Sequence, residues 1–184
     1  LHRSGDLLRE GRAKERAGCM AEAMQHYSAA IQTAERDAER GVMAEALRRL
    51  GVVHHHRNEP ALARELCERS FRTASDMGDQ VLAAEALNAL AGFDFESGAI
   101  AAAREKFYRA LELGKASAEL RGRTEQNLGI LANIQGGLAE AQSHYHQSLL
   151  AFQSTGDERG CAIAYHNLGM VSADQELWDE ADHF

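Results

Sequence analysis

Residues 127–152 read NLGILANIQGGLAEAQSHYHQSLLAF. The first half sets Leu128, Leu131, Ala132 and Gln135 on one helical face at three- and four-residue spacing. The second half does the same with Leu138, Ala141, Tyr145, Leu149 and Phe152. Gly136 and Gly137 lie between them as a turn. A helical hairpin with one apolar stripe on each arm cannot cover both stripes by itself, so the stretch predicts a unit that stacks on copies of itself.

The copies are present at a fixed period. An alanine in the middle of each second helix recurs as Ala23, Ala63, Ala103, Ala141 and Ala181, at separations of 40, 40, 38 and 40 residues. A leucine followed by a small residue recurs in the first helices as Leu50-Gly51, Leu90-Ala91, Leu128-Gly129 and Leu168-Gly169, at separations of 40, 38 and 40. Two independent markers share one irregularity, which predicts a two-residue deletion between Ala103 and Leu128, in the turn near Gly114 to Ser117. Small residues at these places let two helices approach closely. A glycine inside a helix costs about 0.5–1 kcal/mol relative to alanine, so its recurrence implies a contact that offsets the cost.

Turn chemistry has the same period. Gly18, Gly98 and Gly136 fall between paired helices, with Asn58 and then Pro60 at that place in the second unit, where proline suits the first helical position. Met77-Gly78-Asp79 and Thr155-Gly156-Asp157 each read as a glycine helix stop followed by an aspartate N-cap. Helices are predicted at about 3–17, 20–36, 41–57, 60–76, 79–96, 99–114, 118–135, 138–154 and 157–174, with a tenth from 178.

Leu90, Ala91, Gly98, Ala103, Phe107 and Ala110, and again Leu128, Gly129, Gly136, Ala141 and Tyr145, resemble the tetratricopeptide signature across essentially the whole chain. The period is nearer 40 than 34, no proline closes the second helices, and Glu10 stands where the first unit should have its leucine. The longer period is similar to arrays in kinesin light chains, G-protein signalling modulators and bacterial peptide-sensing regulators. The resemblance implies an all-α, right-handed α-solenoid of about four and a half repeats, at about 1–40, 41–78, 79–116, 117–156 and a truncated 157–184. The chain reads as a single array and as a fragment of a longer protein. Leu168, Trp178 and Phe184 are expected to be partly uncovered at its C-terminal end, where self-association is expected because a solenoid end needs a polar cap.

Composition bounds the function. The chain has 184 residues, 45% of them apolar but only 6% aromatic, and a single proline, which favours close-packed helices. A formal net charge of -8 argues against a general nucleic-acid binder. Seventeen arginines against three lysines point to a GC-rich, bacterial genome. Cys19, Cys67 and Cys161 have no ligand-like spacing, which fits a reducing cytoplasm. No apolar run is long enough to span a membrane.

Catalytic and metal chemistry is not expected. His54-His55-His56 point about 100 degrees apart on a helix, so the three cannot share one ion. His144 and His146 fare no better, although Glu140, four residues before His144, can form a surface pair. Cys67 stands where the family has its buried aromatic, and no histidine is placed to activate Cys161. We expect no enzyme activity, no cofactor and no metal.

In the family that the chain resembles, the first helices line a concave groove that holds a peptide or partner segment. Carried onto this sequence, the groove set is Arg48, Arg49, Val52 and His55, with Glu45 and His56, from the second unit, and Asn88 and Phe95, with Glu85, Ala89, Gly92 and Glu96, from the third. The fourth unit supplies Arg123, Asn127, Ile130 and Asn133, with Gln126 and Ile134, and the fifth His166, Asn167 and Met170, with Ile163, Ala173 and Asp174. Asparagine can donate to and accept from an extended backbone, and arginine can hold a carboxylate through two bonds. The expected ligand is an elongated peptide with some acidic and apolar side chains. Arg48 and Asn88 are present but the lysines of the co-chaperone carboxylate clamp are not. Two functions follow: an interaction scaffold for a linear protein segment, or a sensory module of a larger bacterial signalling protein.

Overall fold

The structure is a computed structural model that describes residues 3–174. The described residues form α1 (Ser4–Arg16), α2 (Met20–Arg36), α3 (Arg40–His56), α4 (Pro60–Asp76), α5 (Gln80–Glu96), α6 (Ile100–Leu113), α7 (Ala118–Ile134), α8 (Leu138–Thr155) and α9 (Glu158–Asp174), with no strand among them. Every one of these helix ends lies within one residue of the expected position. Ala181, Trp178 and Phe184, and with them the tenth helix and the expected open end, lie outside the described residues.

The chain divides into two compact units, the first ending at Phe93 and the second beginning at Asp94. In the first, α1 packs on α2, α2 on α3 and α3 on α4, and α1 also touches α3. Leu8, Tyr27, Ala30, Ile31, Leu47, Leu50 and Val53 form its largest cluster, and Ala63, Cys67, Leu90 and Phe93 a second. In the second unit α6 packs on α7, α7 on α8 and α8 on α9, with α7 also touching α9. Its core gathers Ala132, Ala141, Tyr145, Leu149, Phe152, Ala164, Leu168 and Val171. Leu168 is fully buried there, contrary to the expectation that it would be left partly open. It faces back into the α8–α9 interface.

At Gly51 and Gly129, beside their leucine markers, and at Gly11, beside Glu10, the missing side chain has a specific occupant opposite it. A Cβ added at Gly129 would lie 2.5 Å from the Tyr145 ring, and one at Gly11 2.5 Å from the Tyr27 ring. At Gly51 the occupant is Cys67 Sγ at 2.7 Å, with the Ala63 carbonyl oxygen at 2.9 Å. In these three hairpins the residue four positions after the mid-helix alanine, Tyr27, Cys67 or Tyr145, fills the space that the glycine leaves. Phe152 is held similarly on two sides, since a Cβ at either Gly122 or Gly160 would come within 2.6 Å of its ring. Buried hydroxyls tie the same hairpins: Ser70 Oγ donates to the Ala44 carbonyl at 2.6 Å and Ser148 Oγ to the Gly122 carbonyl at 2.8 Å.

The turns follow one design. Gly18, Gly78, Gly98, Gly136 and Gly156 all have positive φ, and Asn58 joins them at 62°. In each interval the helix ends on a left-handed residue whose successor donates back to a carbonyl five residues earlier, as Gly137 does to Ala132 at 2.9 Å. Asp79 and Asp157 cap the next helix, accepting from the amides of Leu82 and Gly160 at 2.9 Å each. The α6–α7 connection departs from this scheme, with Gly114 at φ -86° and Ser117 as the N-cap. Here α6 has 14 residues where α2 and α4 have 17, while the connection is one residue longer than the one after α4. The two-residue deletion thus falls on the last turn of α6 and not in the turn itself.

Ala38 occupies the left-handed position at φ 57° without being glycine, and its amide reaches the Glu35 carbonyl only at 3.4 Å, against 3.0 Å for Gly78 at the equivalent place. A left-handed conformation costs an L residue about 1–2 kcal/mol. Ala38→Gly is expected to raise stability by about 0.5–1 kcal/mol in denaturant unfolding, after the extra entropy of glycine in the unfolded chain is subtracted. Gly129→Ala should lower it by about 1–3 kcal/mol through overpacking against Tyr145, and Leu128→Ala by about 2–5 kcal/mol. A neutral Gly129→Ala would mean that the ring is free to move aside.

Candidate functional site

The first-helix face differs between the two units. In the first unit its charges are matched to one another. Arg49 donates to Glu45 at 3.1 Å and to Glu15 at 3.2 Å, Tyr27 donates its hydroxyl to the same Glu15, and Arg12 approaches Glu45 at 3.5 Å. Arg48 pairs with Glu85 at 3.6 Å, both largely buried. Burial alone would lower the Arg49 pKa, but the bond to Glu45 and the charge of Glu15 outweigh it and raise it. Burial first, and then the Glu15 partner, push the Tyr27 phenol well above its ordinary value. Val52 packs against the Leu90 and Phe93 cluster. His55 stacks on Phe93 with ring centroids 4.2 Å apart and planes 13° from parallel. Asn88 is half-buried and engaged within the chain. Arg48 and Arg49, expected to await a ligand carboxylate, already hold glutamates of their own chain.

The second unit is different. Phe95 is half-buried in the last turn of α5, and Arg123 is half-buried on α7 and engaged within the chain. Asn127, Ile130, Asn133 and Asn167 are half-buried, and Ile130 also packs against the α8–α9 core. His166 is exposed, as are Ile134, 66% accessible, Met170, 49%, and Ile163, 37%. No hydrogen bond within the described residues engages the side chains of Asn127, Asn133 or Asn167. The α7–α9 face therefore offers amides and apolar side chains whose valences the fold leaves open.

Two other features carry polar groups. His144 Nδ1 lies 2.7 Å from Glu125 Oε2 and its Nε2 3.8 Å from Glu140 Oε1, while Arg104 donates to Glu140 at 2.6 Å. The surface pair with Glu140 is thus present, but the nearer partner is Glu125 on the adjoining helix, which local spacing does not reveal. Lys106 pairs with the buried Asp94, 12 residues before it in sequence. A shallow depression of about 550 Å³ runs along the solvent side of α2, lined by Ala21, Met24, Gln25, Ser28, Ala29 and Gln32, with Arg57 at its edge. It is not on the first-helix face.

His54 pairs with Glu59, His55 stacks and His56 is exposed, so the three adjacent histidines have three separate environments. Among the described residues no group of three or more His, Cys, Asp or Glu is placed to hold a metal ion, and no helix is long and apolar enough to cross a membrane.

Comparison with solved structures covers nearly the whole chain. A Rap protein complexed with competence and sporulation factor aligns over 98% of this chain and 51% of its own, at TM-score 0.82 and 15% identity. Apo RapI aligns over 97% and 50%, at 0.73 and 18%, and PilF of Pseudomonas aeruginosa over 98% and 72%, at 0.75 and 20%. The fold is that of the tetratricopeptide-type all-α solenoids. The chain spans about half the length of the two Rap structures. No family model and no curated protein matches the sequence.

Burial raises the Cys67 thiol to about 12 and the Tyr145 phenol to about 12. Both groups keep their protons in the folded state after the unfolded chain has lost them, so their contribution to stability is complete below pH about 8.5 and falls as pH rises towards 12. A thiol-reactive disulfide at neutral pH should label the partly exposed Cys19 and Cys161 quickly and Cys67 only on unfolding. Rapid labelling of Cys67 in the native protein would contradict its packing against Gly51.

Proposed function

We propose that this chain is a protein-interaction module that takes a linear segment of another protein or peptide along the first-helix face of α7 and α9. The observation that carries this reading is the presence of unengaged amides at Asn127, Asn133 and Asn167 beside the exposed Ile134 and Met170. An extended peptide presents alternating backbone donors and acceptors, and asparagine answers both. Apolar side chains of the peptide would then cover surface that water now meets. The likeness to a Rap protein that was crystallised with competence and sporulation factor supports a peptide among the candidate ligands. In this reading the chain is a non-enzymatic scaffold, works in the cytoplasm and binds no nucleic acid. Self-association through residues beyond Asp174 is retained as a proposal without support from Leu168, which is buried.

A second reading makes the array a sensory or regulatory module of a larger signalling protein, with the same face holding an effector. It is favoured by the match to only half the length of the two Rap structures.

Selection from a displayed random-peptide library tests the shared premise. The intact chain should enrich a recurring sequence class, and Asn127→Ala with Asn167→Ala should lose at least about tenfold in affinity for it while melting at an unchanged temperature. Equal capture by the double variant would remove this face from the account of binding.

A further inference from the structure

We infer that the segment held on the α7–α9 face is uncharged and apolar along its central residues, a conclusion that rests on the reading of this face as a peptide site. The two units differ in how much formal charge this row carries. In the first unit the row carries Arg48, Arg49, Glu45 and Glu85, and each is joined to an opposite charge of the same chain at 3.1–3.6 Å. A charged ligand would have to displace one of these partners, and it would gain little over the pair that it breaks. In the second unit the positions equivalent to Glu45, Arg48 and Arg49 hold Arg123, Gln126 and Asn127 on α7 and Ile163, His166 and Asn167 on α9, and the same face continues through Ile130, Asn133 and Met170. The formal charges of that row are Arg123, engaged within the chain, and Asp174 at its far end.

A carboxylate or ammonium laid across the middle of such a row would lose hydration with no ion to replace it. Apolar side chains lose nothing there and cover Ile134 and Met170, while the asparagine amides meet the peptide backbone. The acidic ligand expected from the arginines is therefore replaced by a neutral one. Binding without an ionic component is also insensitive to salt.

The test is fluorescence polarisation of the full chain with three nonapeptide libraries: a neutral one of Ala, Leu, Ile, Ser and Asn, an acidic one with added Asp and Glu, and a basic one with added Lys. The neutral library should bind at least about tenfold tighter than either charged one, with affinity unchanged between about 50 mM and about 500 mM salt. Met170→Asp, at an exposed position, should weaken it about tenfold without lowering the melting temperature. Arg48→Met should leave the affinity unchanged. Tighter, salt-sensitive binding of a charged library would overturn the inference and leave the peptide reading standing. Failure of all three libraries would overturn the peptide reading, and the inference with it.

Discussion

Close approach of two helices at a glycine, with a ring or thiol from the partner helix in the space of the missing side chain, is the contact from which the rest of the structure follows. It recurs as Gly11 with Tyr27, Gly51 with Cys67 and Gly129 with Tyr145. Each pairing holds one hairpin at fixed distance and fixed rotation. The rotation decides which positions of the first helix point away from its partner, and those positions form the candidate face. Where the occupant is the smaller Cys67, the Ala63 carbonyl oxygen also borders the space at Gly51, 2.9 Å from an added Cβ. Phe152, lodged between Gly122 and Gly160, carries the same device from one hairpin to the next helix.

The fold was legible because its determinants are local. Turn glycines, aspartate caps and three- to four-residue apolar spacing act within a few residues of each other, and the helix ends they predict are the observed ones within one residue. Position in the array was legible too, through Ala63, Ala103 and Ala141 and the leucine markers. What the sequence concealed were pairings across the fold. Glu15 with Arg49 is separated by 34 residues and His144 with Glu125 by 19, so no spacing rule announces either. The arginines of the candidate face therefore looked available until their partners were in view. The burial of Leu168 was missed for a similar reason, since it depends on which way α9 turns its apolar stripe.

Under the proposed function, the contrast between the two units acquires a meaning. Ion pairs between α1, α3 and α5 stiffen one row of helices and leave it with little unsatisfied charge, whereas α7 and α9 leave amides and apolar groups open to a partner. An array of nearly equal repeats can in this way keep one stretch as structure and another as binding surface without changing its backbone, because side-chain identity at the same positions carries the difference.

The most direct measurement is methyl NMR of the full chain labelled at isoleucine and methionine, titrated with the tightest peptide that a library yields. A bound segment on the α7–α9 face predicts shifts at Ile130, Ile134, Ile163 and Met170, with Met20 and Met24 of α2 unchanged. Shifts confined to Met20 and Met24 would contradict it and move the binding surface to the depression along α2.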